Sequence, residues 1–276
     1  MQGLYPLQPQ EGIPGHEGVA EVVAVGANVS RLKAGDRVVP LEPGLGMWRT
    51  QGVFSEHLWH PVSSQLRLAD AACLVINPLT ALGMLEELVE LQPGDCVVQN
   101  GGNSAVGQHV VALAKARGVH TISIVRDRLE WRETERQLMQ LGADLVVRPE
   151  HARSALKGSG LPPPKLGLNC TGGELSTLVL KMLAKGGTMA TYGAMAKQPV
   201  VAPAPLLIYK DCKLQGFWCS GNSKTAQDQE AKKQALDRAG DLMLQGLMST
   251  RCEEIPFVDW HRAFDAHAKK PLLVMQ

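Results

Sequence analysis

The 276-residue sequence has no long apolar run, no C-x-x-C pair and almost no net charge. Its longest apolar stretches, "ACLVI" at 72–76 and "PLLVM" at 271–275, fall far short of the ~18 residues of a membrane-spanning helix, so no membrane span is expected. Lys and Arg (28) against Asp and Glu (27) leave +1, scattered rather than striped, and no footprint for nucleic acid or an anionic membrane stands out. The six cysteines (Cys73, Cys96, Cys170, Cys212, Cys219 and Cys252) are spread thinly, as expected of reduced, mostly buried thiols in a non-oxidising compartment. The opening "MQGLYPLQPQEGIPG" has no secretory character and is neither Arg-rich nor amphipathic, so no transit peptide is visible in it.

What is present is 45% hydrophobic content over a length suited to about two domains. Short β-rich stretches, "VAEVVAVG" (19–26), "DRVVPL" (36–41) and "VFSEHLW" (53–59), separated by Gly, Asn and Pro turns, have the texture of a small barrel. From about Asp70 the pattern changes. A helix is predicted over 79–91, a strand over 96–100, a helix over 105–118 and a strand over 120–125. Further helices follow at 131–141, about 150–157 and 174–184, with strands at 144–147, 165–169 and 188–193. Such alternation implies βαβ crossovers and a parallel sheet covered on both faces. A polar loop after "KLQGFW" (213–218) leads into a helix to about Leu247, a strand at 253–258, a last helix and a strand at 272–275. This tail is too small for a domain of its own and is expected to complete the one begun at the N-terminus.

The chemistry starts at "GGNSAVGQ" (101–108), between a strand and a helix. Gly102, Ser104 and Gly107 occupy the G-x-G-x-x-G positions, with serine in the middle one. Such a pattern alone is often a tight turn; with a strand before and a helix after, it points to a phosphate held at a helix N-terminus. About twenty residues on, "TISIVRDR" (121–128) puts Arg126 and Arg128 around Asp127, where an acidic residue would accept from a ribose 2′-hydroxyl. Arginine offers a charged fork to a 2′-phosphate instead. Position alone leaves this reading level with a solvated arginine pair, one of them bridging to Asp127.

"GHEGVAEVVAVGANVSRLKAGDRVV" (15–39), "LQPGDCVVQNGGNSAVGQ" (91–108), "LGADLVV" (141–147) and "LNCTGG…LAKGGTMATYG" (168–193) together resemble the medium-chain dehydrogenase/reductase superfamily over nearly the whole chain. "NPLTA" (77–81), "VRDR", "YGAMAKQPVV" (192–201) and "GFW" (216–218) are similar to the mitochondrial trans-2-enoyl-CoA/acyl-carrier-protein reductases of fatty acid synthesis. The resemblance implies an α/β fold with a Rossmann-type doubly wound parallel sheet at 75–213. It also implies a GroES-like β-barrel catalytic domain split between 1–74 and 214–276, with substrate in the cleft between the two. Because the family has strands ahead of the point where the match begins, this barrel is expected to be incomplete, its N-terminal strands missing.

The resemblance further implies NADPH as cofactor. Gly102, Asn103, Ser104, Ala105, Val106 and Gly107 would hold its pyrophosphate, and Arg126, Asp127 and Arg128 its 2′-phosphate end. Asn77, Tyr192, Gly193, Ala194 and Met195 carry over as cofactor contacts, as do Phe217, Trp218, Cys219 and Ser220 near the nicotinamide and Lys270 on a phosphate. Tyr5 in "MQGLYP", one of only three tyrosines, matches the proposed proton donor, and Trp218 would orient substrate or cofactor. Implied too are a homodimer, a mitochondrial location and an enoyl-CoA or acyl-carrier-protein thioester as substrate.

The same superfamily includes zinc enzymes, and His16 and Glu17 fall on one of their ligand regions. A cysteine ligand of those enzymes lands on Asn77, a poor zinc ligand, and only Cys73 occurs where their cysteine-dense lobe would lie, so no metal is expected. His16 then reads as a hydrogen-bonding residue. The chemistry left is reduction of an activated C=C bond, with hydride to the β carbon and a proton to the α carbon. Two alternatives stay open: a zinc-free quinone or alkenal reductase, and a truncated, non-catalytic NADPH-binding protein.

Overall fold

A computed structural model describes residues 12–126, 130–219, 225–264 and 270–275. The chain divides into two compact units, Met1–Leu79 with Ser220–Gln276, and Thr80–Cys219.

The first unit begins with β1 (Ala20–Glu21), β2 (Arg37–Pro40) and β3 (Trp59–Val62), an antiparallel sheet in that order. Val38, Leu45 and Trp59 form its core, with Phe54 edge-on to Trp59 at 5.2 Å. The strand expected over 19–26 is cut to two residues. Its partner turns away at Lys33–Asp36, where the Asp36 carboxylate accepts the Lys33 N–H at 2.9 Å. The strand expected at 53–59 starts where that stretch ends, because the Leu58 N–H donates to the Ser55 carbonyl and winds 56–58 into a 3-10 turn. After α1 (Leu68–Ala72) comes α2 (Asn77–Glu87), within which the division between the units falls.

The second unit continues with β4 (Cys96–Asn100), α3 (Ala105–Ala116), β5 (His120–Ile124), α4 (Trp131–Leu141), β6 (Leu145–Val147) and α5 (Ala152–Ser159). It goes on with β7 (Leu166–Asn169), α6 (Gly173–Met182), β8 (Thr188–Thr191), β9 (Gln198–Val200), α7 (Ala204–Ile208) and β10 (Lys213–Gly216). Six strands form one parallel sheet in the order β10-β8-β7-β4-β5-β6. Every residue of β4 and β7 is buried, as an apolar strand covered on both faces must be. On one face Val111 of α3 and Leu138 of α4 pack with Val125 and Val146; on the other Val179 and Leu180 of α6 and Ala152 of α5 pack with Val98, Ile122 and Met189. Helix α4 stops at Gly142, whose φ of 106° lets the Ala143 N–H return to the Leu138 carbonyl at 2.9 Å.

The chain then returns to the first unit with α8 (Ala226–Leu244), β11 (Cys252–Pro256) and β12 (Lys270–Val274), the two strands forming a parallel pair. Thr225 and Asp228 make a reciprocal capping box at the start of α8. His60 of β3 meets Asp237 of α8 at 2.7 Å. The last predicted helix is a 3-10 segment, Phe257–Phe264, kinked at Asp259. Among the described residues no helix is long and apolar enough to cross a membrane.

Candidate functional site

The strand order of the second unit reverses between β4 and β7: the chain runs outward through β5 and β6, then crosses back to β7 and β8 on the other side. Loops leaving the carboxyl ends of two such strands diverge and open a crevice, the usual ligand position of a doubly wound sheet. Here β4 and β7 both end in asparagine, and both side chains are fully buried. The Asn100 amide donates to the Asn169 Oδ1 at 2.7 Å, and the Asn100 Oδ1 accepts the Cys170 N–H at 2.8 Å. Asn169 also accepts the Gly172 N–H and donates to Thr191 Oγ1, both at 3.1 Å. This network ties the starts of the two diverging loops to each other and to β8. Sequence reasoning missed both residues; the available signal was an asparagine closing each of two otherwise buried strands.

The turn after β4 fits a pyrophosphate in shape. A Cβ on Gly102 would come within 2.6 Å of Ser123 Cβ, and one on Gly107 within 2.6 Å of the Gly102 carbonyl oxygen, so neither position has room for a side chain. Gln99, wholly buried, donates to the Gly107 carbonyl at 3.0 Å and to Ser123 Oγ at 3.1 Å, pinning the first turn of α3 to β4 and β5. Ser104 is the N-cap of α3, and its hydroxyl accepts the Gly107 N–H at 3.1 Å. That leaves the first N–H groups of the helix, at Ala105 and Val106, without intrahelical partners and aimed out of its positive end. Asn103 is exposed at the tip of the turn.

Other sequence-predicted residues gather on the same edge of the sheet. Arg126 is exposed just past β5, while Asp127 and Arg128 lie outside the described residues. Tyr192 and Gly193 follow β8; a Cβ on Gly193 would crowd the Cys170 carbonyl oxygen at 3.0 Å. The Tyr192 hydroxyl is buried beside Cys170 and Ser104, with neither in good hydrogen-bond geometry. Burial, reinforced by Cys170, pushes its pKa well above the ordinary tyrosine value. Ala194 and Met195 are exposed, and the Met195 N–H is held by the Cys170 carbonyl at 3.0 Å. Phe217 and Trp218 follow β10: Phe217 packs toward Gly83 of α2, its N–H donating to the Thr191 carbonyl, whereas Trp218 is 47% exposed and Cys219 half-buried.

Four of the named residues belong to the first unit. Asn77 opens α2 and is half-buried. Tyr5, like Ser220, lies outside the described residues. Lys270 opens β12 and pairs with Glu17, which the sequence reading had weighed only as a metal ligand. Burial pushes the Glu17 carboxyl up against the pull of Lys270; burial also works against the Lys270 charge, yet Glu17 leaves its pKa above the ordinary lysine value. Lys270 therefore carries a structural partner beside any phosphate role.

Comparison with known proteins identifies the family. Residues 105–239 match the family model described as zinc-binding dehydrogenase, and residues 1–70 match the alcohol dehydrogenase GroES-like domain. The human mitochondrial enoyl-[acyl-carrier-protein] reductase is 46% identical over 274 residues, covering 98% of this chain and 73% of that protein. A structure of the Etr1p/NADP/crotonyl-CoA complex superposes with a TM-score of 0.87 at 31% identity, over 96% of this chain and 84% of the other. The mitochondrial 2-enoyl thioester reductase Etr1p/Etr2p heterodimer from Candida tropicalis gives 0.86 at 32% identity over the same shares. The zinc of the family description does not fit these side chains: among the described residues no three His, Cys, Asp or Glu converge to hold a metal ion.

Proposed function

We propose, on the premise that this chain belongs to the medium-chain dehydrogenase/reductase superfamily and within it to the mitochondrial enoyl-[acyl-carrier-protein] reductase family, that it reduces trans-2-enoyl thioesters to saturated acyl thioesters with NADPH. The observation that carries this reading is the pairing of a turn with no room for a side chain at Gly102 or Gly107, on the α3 N-terminus, with an exposed arginine at the end of β5. Bound there, the reduced dinucleotide would supply the hydride for C3 of the substrate.

The chain's own residues do the rest. Gly102, Ser104 and Gly107 admit a pyrophosphate to the N–H groups of Ala105 and Val106, with Asn103 at the rim. Arg126, helped by Arg128, takes the 2′-phosphate, which a carboxylate at position 126 would repel, with Asp127 between them on the ribose side. The orphaned Tyr192 hydroxyl is a donor available to the cofactor, and Gly193, Ala194 and Met195 carry the backbone past it. The family resemblance assigns Phe217, Trp218 and Cys219 of the second unit, and Asn77 and Ser220 of the first, to the nicotinamide end. The proton for C2 is assigned to the phenol of Tyr5. No step runs through a metal.

The fully exposed β10, at the edge of the parallel sheet, supports a homodimer in which a second copy extends the sheet there. The names of the relatives support a mitochondrial site of action. The test follows NADPH consumption by the purified chain with crotonyl-CoA, with a simple quinone and with NADH. Crotonyl-CoA turnover that prefers NADPH is expected, with a kcat loss of at least roughly 100-fold in Tyr5→Phe and NADPH affinity unchanged. Quinone turnover exceeding that of crotonyl-CoA would assign a quinone reductase. NADPH binding without turnover of either would assign a non-catalytic binder.

A further inference from the structure

The sulfurs of Cys73 and Cys252 lie 3.5 Å apart, although 179 residues separate them in sequence. Both cysteines belong to the first unit, one on each side of the inserted second unit. Cys73 caps the C-terminus of α1 and is buried; Cys252 opens β11 and is half-buried. Their approach is held by a rigid clamp. The Asp70 carboxylate accepts the Thr250 N–H at 2.6 Å, and Arg67 binds both Asp70 and the Thr250 carbonyl, fixing the segment before β11 onto the first turn of α1. In β12, Lys270 sits directly opposite Cys252, with its ammonium on Glu17. Cys73, Glu17 and Lys270 line a cavity of about 1310 Å³ in this unit, and Cys252, only half-buried, is open to a small oxidant from its own exposed side.

We propose that Cys73 and Cys252 form a reversible disulfide site, oxidised by hydroperoxides, that cross-links the two chain segments of the split first unit. The roles of the two sulfurs differ. The hydrogen bond shared with Cys73 favours the Cys252 thiolate, as does Lys270, while partial burial, Glu17 and Asp70 oppose it; the net direction is down, whereas the same bond and burial push Cys73 up and hold it as the thiol. Cys252 sulfur attacks the hydroperoxide: an S–O bond forms, the O–O bond breaks, and the alcohol leaves after taking a proton. Cys73 sulfur then attacks the resulting sulfenic acid. The S–S bond forms, the S–O bond breaks and water leaves with the Cys73 proton, so that two thiols lose two electrons and the hydroperoxide becomes alcohol and water. Closing from 3.5 Å to the ~2 Å of a disulfide brings the two sulfurs together by about 1.5 Å. None of this depends on the reductase reading.

The experiment treats the whole chain with tert-butyl hydroperoxide and maps thiols by mass spectrometry under non-reducing conditions. The expected result is a linked peptide pair containing Cys73 and Cys252, complete at oxidant levels about tenfold below those that modify Cys96 or Cys212, and reversed by dithiothreitol. In Cys73→Ser the oxidation should stop at a dimedone-reactive sulfenic acid on Cys252; in Cys252→Ser, Cys73 should stay reduced at the same dose. The wild-type map does not depend on the variants folding. Oxidation of Cys252 without the link to Cys73, or oxidation of Cys219 while both Cys73 and Cys252 remain thiols, would overturn the proposal.

Discussion

Asn100 donates its side-chain amide to the carboxamide oxygen of Asn169 across 2.7 Å, joining the ends of two neighbouring parallel strands where the chain reverses its direction of winding. The pair has no water to fall back on, since both residues are fully buried, and each also accepts a backbone N–H of the loop after β7, Asn100 from Cys170 and Asn169 from Gly172. Asn169→Leu would leave the Asn100 amide and the Gly172 N–H without this acceptor. At about 1–3 kcal/mol for each buried group left unsatisfied, a fall in urea unfolding free energy of about 2–5 kcal/mol is expected. Weaker NADPH binding should accompany it, measured by fluorescence titration at temperatures where the variant is folded.

Gly107 tests the turn itself. A methyl group there meets the Gly102 carbonyl oxygen at 2.6 Å, which is backbone and cannot rotate away. Gly107→Ala should lose at least roughly tenfold in NADPH affinity and cost about 1–3 kcal/mol of stability, the range for overpacking a tight contact. Gly158→Ala, within α5 and with nothing within 4 Å of the added carbon, is the control: NADPH affinity should hold and stability should rise by about 0.5–1 kcal/mol from helix propensity.

Arg126→Asp should reverse cofactor preference. Charge-assisted hydrogen bonds contribute about 1.5–3 kcal/mol, so kcat/KM with NADPH should fall roughly 10- to 100-fold while that with NADH holds or rises. An unchanged NADPH-to-NADH ratio would return Arg126 to a solvated surface role.

Tyr192 carries the pH prediction. Its folded pKa lies well above 10, so above that value the unfolded chain releases the phenolic proton first and stability falls as pH rises toward the folded pKa. Tyr192→Phe should flatten this alkaline limb of the denaturation midpoint and leave the limb below about pH 9 unaltered. In the native wild type, ultraviolet titration near pH 10 should show no tyrosinate signal from Tyr192.

Much of the second unit was legible from spacing alone. Helix α4 occupies the predicted 131–141, and α3 begins at the predicted Ala105, because a helix is built from contacts three and four residues apart and stops at local signals such as Gly142. Strand β10 was not legible. "KLQG" is exposed at every position and has no apolar run, and only its ladder with β8 makes it a strand. The short β1 and the late start of β3 escaped for a related reason: turns at Lys33–Asp36 and Ser55–Leu58 decide where pairing stops.

The candidate site divides along the same line. By itself the sequence determined the glycine-serine turn, the arginine after the second strand of the sheet and the family, because each is written within a few neighbouring residues. Only the tertiary structure decided that Asn100 and Asn169 share a hydrogen bond, that Lys270 is held by Glu17 from 253 residues away, and that Cys73 touches Cys252. Those relationships depend on which strands lie side by side, and pairing between distant segments is set by the burial of the whole core rather than by any local pattern.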